Sequence, residues 1–343
     1  MYINIIYFII SMISTLLVFK LLINNGNYLN LYDYPNERKI HKEKILKIGG
    51  IGIIFSSLLI LLVYRIINEQ VLISITESES QILFSTTLLI IGGFFDDLID
   101  ISAYQKLFFQ LVAIFVITKS GFVFSLSNYY YLDLIVTMIF FIVAINSMNL
   151  IDGIDGLSSG IFIVFCLNMI IVISLIPFLS QQYFILISIF LGSIFAFFFI
   201  NIPPARIFLG DAGSQLLGWI MAISIVHLSS FFNYNYQKVY LLSFISMPFY
   251  DVFCMIFLRF NKVNGFVNKI KSIVKADQNH IHHSLLNNGF SNKKTLLILL
   301  SLFSILSFIS LIPIYLSSYY LIIFLLVLLI FMFFRFYLIF SLK

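Results

Sequence analysis

Long apolar runs separated by short polar segments dominate the pattern along the chain. A helix needs roughly 20 mostly apolar residues to cross a bilayer, and about eleven runs approach that length. They cover approximately 3–23, 48–67, 81–95, 104–124, 132–150, 157–177, 183–201, 213–230, 239–260, 295–316 and 318–340. The strand alternation typical of an outer-membrane barrel does not occur. The pattern therefore predicts an all-α polytopic membrane protein whose single domain covers residues 1–343.

The composition excludes a soluble protein. Of the 343 residues, 61% are hydrophobic and only 10% are charged, whereas a soluble domain averages about 25% charged residues. We therefore expect the membrane as a partner and no nucleic acid.

The basic residues indicate how the chain crosses the membrane. Most Lys and Arg residues lie in segments 24–47 and 261–294, and short loops rich in these residues stay on the cytoplasmic side. This bias predicts an outside, periplasmic N-terminus and a cytoplasmic C-terminus. The acidic residues that then fall on the cytoplasmic face are Asp96, Asp97, Asp100, Asp152, Asp155, Asp211 and Asp277. We expect the active site on that face.

Three of these carboxylates end the third run, in the sequence GFFDDLID. An ionised Asp at the centre of a bilayer costs roughly 2.5–3.5 kcal/mol, so these groups lie at the surface or are neutralised. If the helix continues, Asp96 and Asp100 share one face with Asp97 beside them, because they are four residues apart. Lys106 or a divalent cation would relieve their repulsion.

A polar stripe ends the fifth run, in NSMNLIDGIDGLSSG. Asn146, Asn149, Asp152 and Asp155 recur every third residue until two glycines interrupt the helix. Unsatisfied amides inside a span cost free energy, and the missing downstream Glu excludes a calcium loop of the EF-hand type. The stripe therefore favours a polar ligand site.

Small residues open the eighth run at 210–214, where the sequence is GDAGS. Such a helix start presents backbone N–H groups to phosphate. Alternatively, Asp211 holds a metal ion on that phosphate. The run is not a P-loop, because no G-K-[ST] follows.

Three histidines, His280, His282 and His283, stand within four residues. Neither an H-E-x-x-H pattern nor a nearby Cys supports zinc, and the surrounding basic residues favour phosphate binding. Asp251 stands alone in the run 239–260 and should face the bundle interior beside a polar partner. Structural pairing and a role in the site both stay open for it.

The polar segment 32–52 ends in a pair of glycines that would allow close approach of a ligand to the backbone. Its lysines also suit a positive-inside anchor loop, so both interpretations stay open. Lys39 and His41 are its candidate substrate-binding residues.

The five polar clusters, in this order, resemble the polyprenyl-phosphate N-acetylhexosamine-1-phosphate transferases of glycosyltransferase family 4. The similarity extends from Asp33 to Gly289. The matching patterns are D-D-x-x-D at Asp96, Asp97 and Asp100 with a lysine at Lys106, N-x-x-N-x-x-D-G-x-D-G at Asn146, Asn149, Asp152 and Asp155, F-x-G-D at Phe208 and Asp211, and H-x-H-H at His280, His282 and His283. Leu46 and Gln278 depart from residues that are frequent in the family.

The resemblance implies a role for each cluster. Asp96, Asp97 and Asp100 would be catalytic and act around an acceptor phosphate, and Asp211, helped by Asn149, would bind Mg²⁺, with Mn²⁺ as the alternative. The residues expected to bind substrate are Lys39, His41, Lys106, Asn146, Asp152, Asp155, Phe208, His280, His282 and His283. Among them, Phe208 and Asp155 would contact uracil.

The implied reaction transfers an N-acetylhexosamine-1-phosphate from a UDP-sugar to undecaprenyl phosphate and releases UMP. UDP-GlcNAc is the expected donor, and a modified donor (UDP-N-acetyl-fucosamine or UDP-N-acetyl-quinovosamine) or UDP-MurNAc-pentapeptide is the alternative. The product would initiate a cell-surface polysaccharide such as O-antigen or teichoic acid. The protein would act in the bacterial inner (cytoplasmic) membrane as a multi-pass protein, with a homodimer as one oligomeric possibility.

An ion-coupled transporter is the rival from another class. Transporters place charged residues at mid-membrane in interrupted helices and show internal repeats. Here all the cytoplasmic acids except Asp251 lie at one face, and no repeat is visible. The pattern therefore favours the enzyme.

Overall fold

A computed structural model describes residues 2–26, 31–35, 43–68, 76–175, 181–262, 280–316 and 318–340. The helices over this part of the chain are α1 (Tyr2–Asn24), α2 (Gly49–Ile67), α3 (Glu77–Ile99), α4 (Ala103–Lys119), α5 (Tyr130–Ile151), α6 (Leu157–Leu175), α7 (Gln181–Asn201), α8 (Gly210–Ser229), α9 (Asn235–Tyr240), α10 (Ser246–Lys262), α11 (Ile281–Asn287), α12 (Asn292–Ile309), α13 (Ile312–Leu316) and α14 (Tyr320–Phe340). The prediction of a helical, multi-pass membrane protein is confirmed.

Within the described ranges, nine helical segments are long and apolar enough to cross a membrane. They correspond to nine of the predicted runs. The other two runs are α4, which has 17 residues, and α14, of which Tyr320–Arg335 forms a shorter apolar helix. The count of eleven spans and their orientation stay predictions.

The predicted run 239–260 is not one regular helix. It divides into α9, a 3₁₀ turn at Leu241–Ile245 and α10. Pro248 lies in the first turn of α10, where its missing N–H is tolerated, but its ring would clash with a helical carbonyl four residues earlier. The chain therefore starts a new helix at Ser246, and Asp251 lies close to its beginning rather than in the middle of a continuous span.

A small sheet, which the hydrophobic pattern did not predict, joins the N-terminal polar segment to the F-x-G-D segment. Strand β1 (Tyr32–Asp33) pairs antiparallel with β2 (Ile45–Lys47), and β2 pairs parallel with β3 (Ile207–Phe208). The pairing is completed where the N–H of Gly50 donates to the carbonyl of Leu209 at 2.7 Å. The sheet therefore fixes the start of α2 beside the start of α8.

Glycines allow α8 to pack very closely against α2 and α3. A Cβ atom at Gly50 would lie 2.4 Å from the backbone nitrogen of Gly213, and one at Gly93 would lie 2.5 Å from the Cα of Ala212. Both distances are shorter than any real Cβ contact. The three helices therefore meet backbone to backbone at the end of the bundle that carries the polar motifs.

Candidate active site

Asp97, at the end of α3, holds the start of α8. Its two carboxylate oxygens accept hydrogen bonds from the backbone N–H groups of Asp211 (2.8 Å) and Ala212 (3.1 Å). A helix leaves its first N–H groups without partners, and a negative charge there is stabilised by the helix dipole. Gly210 makes this approach possible, because a Cβ atom on it would lie 2.7 Å from an Asp97 oxygen.

This contact corrects one expectation from the sequence. The N–H groups of Asp211 and Ala212 in the first turn of α8 are not available to phosphate, because each donates to Asp97. The side chain of Asp211 is thereby held beside Asp97 instead.

Lys106, from the first turn of α4, links two of the predicted acids. Its ammonium group forms an ion pair with Asp96 and lies 3.3 Å from Asp211 Oδ1. The Asp96 side chain is almost fully buried, where an isolated charge would be very costly. Lys106 therefore supplies the positive charge that the sequence analysis required for these carboxylates.

Asp100 does not share the face of Asp96. Helix α3 ends at Ile99, and Asp100 is its C-cap residue in the left-handed conformation, with φ at 49°. Its side chain is exposed. The condition for a shared face with Asp96 is therefore not met, because the helix ends before it reaches the third carboxylate.

The two asparagines of α5 have different surroundings. Asn146 exchanges hydrogen bonds with Gln110, whose amide also donates to Gln215 Oε1 at 3.1 Å. Asn149 lies one turn further along, where its Oδ1 accepts from the hydroxyl of Ser214 at 2.7 Å. Asn149 thus contacts the first turns of α8, the helix that carries Asp211, whereas Asn146 belongs to a cluster of amides deeper in the bundle.

The D-G-x-D-G turn is tied to the segment before β3. Asp155 Oδ2 accepts the N–H of Ala205 at 3.1 Å, and the buried side chain of Asn201 accepts the N–H of Gly156 at 2.8 Å and donates to the carbonyl of Ile207 at 2.9 Å. Asn201 therefore connects this turn to the strand that carries Phe208.

Asp152 lies in the same turn and accepts a hydrogen bond from Ser158. The surrounding protein removes water from its carboxyl group and so raises its pKa well above the ordinary value. Asp211, Asp155 and Asp97 raise the pKa further, although the Ser158 hydroxyl opposes them. This mutual effect shows that the four predicted acids share one electrostatic environment.

Lys47 brings a positive charge to this environment. It lies in β2, in register with Phe208 of β3, and its ammonium is 3.1 Å from Asp33 Oδ1. Burial opposes its charged form, but Asp33, helped by Asp97 and Asp211, outweighs burial and raises the pKa of Lys47. Lys47 therefore stays cationic beside the acids.

The histidines pack on the D-G-x-D-G turn. His282 is fully buried, and a Cβ atom at Gly153 would lie 2.3 Å from its Nε2 atom. The ring of His280 is stacked parallel to that of His282 at 5.8 Å, and the ring of His283 lies 4.4 Å from it. Neither ring nitrogen of His282 has a hydrogen-bond partner among the described residues.

The polar partner expected for Asp251 is His280. Asp251 Oδ2 lies 2.8 Å from Nδ1 of His280, and Asp251 Oδ1 accepts the N–H of Ile281 at 3.0 Å. The guanidinium of Arg335, from α14, lies 3.9 Å from the same Oδ1 atom. The prediction that Asp251 faces the bundle interior beside a polar partner is confirmed.

The residues proposed to bind a metal were tested against the chemistry of Mg²⁺. Among the described residues, no group of three or more His, Cys, Asp or Glu side chains is arranged to hold a metal ion. Mg²⁺ usually needs only one or two carboxylates, with water and substrate phosphates as its other ligands. The carboxylate of Asp211 and the amide oxygen of Asn149 fit that requirement, since both lie against the first turns of α8.

Several contacts in this region lie outside the sequence predictions. Asn201, Lys47, Ser214 and Arg335 were not singled out as site residues. Asn201 and Arg335 share one signal that would find them, a polar or charged residue in an apolar run. Lys39 and His41 lie outside the described residues and stay predictions.

The similarity to known proteins covers the part of the chain that carries most of these site residues. The model of glycosyl transferase family 4 matches residues 80–229, from the first turn of α3 to the end of α8. The chain is 28% identical over 310 residues to a probable undecaprenyl-phosphate N-acetylglucosaminyl 1-phosphate transferase of Bacillus subtilis, covering 85% of this chain and 80% of that protein.

Two further relatives are similar over most of their length. The undecaprenyl-phosphate alpha-N-acetylglucosaminyl 1-phosphate transferase of Thermotoga maritima is 30% identical over 275 residues, which is 78% of this chain and 77% of that protein. The phospho-N-acetylmuramoyl-pentapeptide-transferase of Kosmotoga olearia is 26% identical over 332 residues, which is 87% of this chain and 96% of that protein.

Proposed function

The chain belongs to glycosyl transferase family 4, as its motifs predict, and we propose that it transfers N-acetylglucosamine-1-phosphate from UDP-GlcNAc to undecaprenyl phosphate. A phosphate oxygen of the lipid attacks the phosphorus next to the sugar, the bond to the second phosphate breaks, and UMP leaves. The product is an undecaprenyl-diphosphate sugar, which would initiate a cell-surface polysaccharide such as O-antigen or teichoic acid. The protein would work in the bacterial inner membrane, with its site on the cytoplasmic face.

One observation carries this proposal. Lys106 lies between Asp96 and Asp211, while Asp97 holds the start of α8. Acidic and basic groups from three helices therefore meet at one end of an apolar bundle. Both substrates of the proposed reaction are anionic at the reacting phosphates, so a site that combines fixed positive charge with carboxylate ligands for a cation suits their reaction.

The side chains divide between the two substrates. Asp96, Asp97 and Asp100 are proposed on the acceptor side, where a carboxylate orients the lipid phosphate or takes its proton. Each Asp97 oxygen keeps a second lone pair besides the one that accepts from α8. Lys106 can stabilise negative charge on either substrate, because it contacts an acid of each motif, Asp96 and Asp211.

The donor side is proposed to use the D-G-x-D-G turn, Phe208 and the histidines. Asp155 and Phe208 would contact uracil, while His282 and His283 would face the sugar and phosphates. Asp211, with Asn149, would hold Mg²⁺, which when bound neutralises charge on the donor diphosphate. The loss of the Asp211 carboxylate would remove the acid of α8 that lies beside Lys106.

The relative from Kosmotoga olearia is a reason to test a second donor. Its name states a phospho-N-acetylmuramoyl-pentapeptide transfer. The resemblance favours the glycan-initiating branch of the family, because Asp100 is typical of that branch, whereas the peptidoglycan enzymes usually carry Lys at this position. UDP-GlcNAc is therefore the first donor to test, followed by UDP-MurNAc-pentapeptide and the modified N-acetyl sugars.

The test uses purified protein in detergent with undecaprenyl phosphate, Mg²⁺ and each UDP-sugar separately. Lipid-linked sugar and free UMP are measured in the same reaction, with and without a chelator. We expect both products with UDP-GlcNAc, their loss with chelator, and their loss in Asp211→Asn. Release of neither product with any donor would overturn the proposal.

A matched acid controls for the loss of charge. Glu77 lies at the opposite end of α3 from Asp97 and is exposed. Glu77→Gln removes one carboxylate from the same helix without touching the site. It should keep wild-type turnover.

A further inference from the structure

Asp251 and Arg335 form a charged network that the proposed chemistry does not use. Asp251 is 2% exposed and Arg335 is 2% exposed, although the residues around each of them in the sequence are mostly apolar. Asp251 contacts His280 through Oδ2 and the N–H of Ile281 through Oδ1. Arg335 donates to the hydroxyl of Ser284 at 2.9 Å and lies 3.9 Å from Asp251.

This network joins two separate parts of the chain to the same short helix. Asp251 comes from α10, Arg335 comes from α14, and both contact α11 or the residue just before it. The contacts of Asp251 and Arg335 with this part of the chain fall on the segment 280–284, which contains the three histidines. The network therefore holds the H-x-H-H segment by its first turn.

Packing alone does not account for these charges. A buried ion pair is often no more stabilising than apolar residues of the same volume, because the desolvation cost offsets the attraction. An ionisable residue inside a membrane span is therefore a functional hypothesis by default. The geometry indicates a function, because Asp251 holds both the ring of His280 and the backbone N–H of Ile281. The ring of His282 is stacked against that of His280.

We infer that Asp251 and Arg335 are positioning residues that hold the H-x-H-H segment against the D-G-x-D-G turn, so that the last span contributes to donor binding. Asp251 sets the orientation of the His280 ring through Nδ1. Arg335 fixes Ser284 and compensates the charge of Asp251. His282 is thereby held on Gly153, which lies between Asp152 and Asp155 in the sequence. This inference rests on the proposed function for the identity of the substrate. The contacts of Asp251 and Arg335 do not depend on that function.

The variants Asp251→Asn and Arg335→Met remove the network, and Asp133→Asn is the matched control. Asp133 is also a buried acid that accepts backbone N–H groups, from Leu126 and Ser127, but it lies at the opposite end of α5 from Asn149. Arg335→Lys keeps the charge and loses the planar fork that serves two partners at once.

Two measurements separate positioning from general stability. With saturating acceptor, Asp251→Asn and Arg335→Met should raise the KM for the UDP-sugar about tenfold, because a hydrogen bond to a charged group is lost. The KM for undecaprenyl phosphate should stay within about twofold, and Arg335→Lys should be intermediate. Asp133→Asn should lower thermal stability without changing the donor KM.

The second measurement does not need turnover. Diethyl pyrocarbonate modifies accessible imidazoles, and mass spectrometry locates the modified peptide. The peptide containing His280–His283 should be modified at least about threefold faster in Asp251→Asn and Arg335→Met than in the wild type, and not faster in Asp133→Asn.

The outcomes distinguish the two ideas. Unchanged labelling of the histidine peptide in both variants would overturn the inference, whether or not any transfer is detected. Unchanged donor KM in an active protein would overturn it while leaving the proposed function intact. Faster labelling in the two variants, together with a wild-type protein that transfers no sugar to the lipid, would support positioning and reject the proposed reaction.

Discussion

Replacing Gly153 by Ala tests how closely the histidine segment must sit on the D-G-x-D-G turn. The added Cβ would lie 2.3 Å from Nε2 and 2.9 Å from Cε1 of His282. An ordinary contact needs at least 3.4 Å, so the imidazole must move by about 1 Å, and a misplacement of that size can cost about 100-fold in rate. The ring is fully buried and stacked on His280, so it cannot swing freely away.

The overpacking should also cost stability. Forcing an extra methyl group into a packed site typically costs about 1–3 kcal/mol, so Gly153→Ala should lower the melting temperature measurably. Turnover with UDP-GlcNAc and undecaprenyl phosphate should fall by about 10-fold to 100-fold at saturating substrate. Activity and melting temperature are measured on the same detergent-purified sample.

Two further variants test whether the collision with His282 causes the loss of turnover. Gly121 has φ at 90° and no atom within 4 Å of an added Cβ, so Gly121→Ala strains the backbone far from the site and should destabilise without loss of turnover. In a His282→Ala background, Gly153→Ala should add little further loss, because the colliding ring has gone. Additive losses in the double variant, or wild-type turnover in Gly153→Ala, would refute the steric argument.

Three other predictions follow from the same geometry. Lys106→Met should destabilise the protein by about 3–5 kcal/mol, because Asp96 keeps a buried charge without its partner, and adding Asp96→Asn should restore much of the lost melting temperature. Asn201→Leu should lower stability by about 1–3 kcal/mol, because the N–H of Gly156 and the carbonyl of Ile207 lose their partner. Asn201→Asp should retain only the contact with the N–H of Gly156. Thermal unfolding of both variants checks this prediction. Burial, with help from His283 and His280, lowers the pKa of His282 from 6.5 to about 3, against the opposite effect of Asp251. His282 in the unfolded chain then binds a proton near pH 6.5, whereas in the folded protein it binds one only near pH 3. The free energy of unfolding should therefore fall as the pH drops below 6.5, by up to about 1.4 kcal/mol per pH unit. His282→Gln should flatten the profile of melting temperature between pH 7.5 and 5.

The hydrophobic pattern was sufficient for the helical membrane fold, because each span carries its own length and composition. It did not predict the division of 239–260, since Pro248 acts through a local clash that average hydrophobicity does not contain. It also did not predict the small sheet. Strands of two or three residues have no period to detect, and β2 pairs with β3 across a gap of about 160 residues that the sequence alone does not bridge.

The contacts of the candidate site were also predicted only in part. The sequence predicted that the acids need a positive partner, and Lys106 supplies it. It did not predict that Asp97 would hold the start of α8, because that contact joins residues more than 100 positions apart. A shared face of Asp96 and Asp100 required the helix to continue, and the pattern did not show that α3 ends at Ile99, since the end of a helix is the least reliable part of any prediction from pattern.

The contacts of Asp97 have a consequence for how the site responds to substrate. Asp97 and the glycine contacts of α2 and α3 with α8 fix the position of Asp211 through the backbone, and backbone contacts of this kind leave little room to adjust. The histidine segment is held differently, by the side chains of Asp251 from α10 and Arg335 from α14. A side-chain network can break and reform at the cost of a few hydrogen bonds, whereas the start of α8 cannot move without unpacking three helices. Adjustment to different donor sugars should therefore occur at the histidines and leave Asp211 in place.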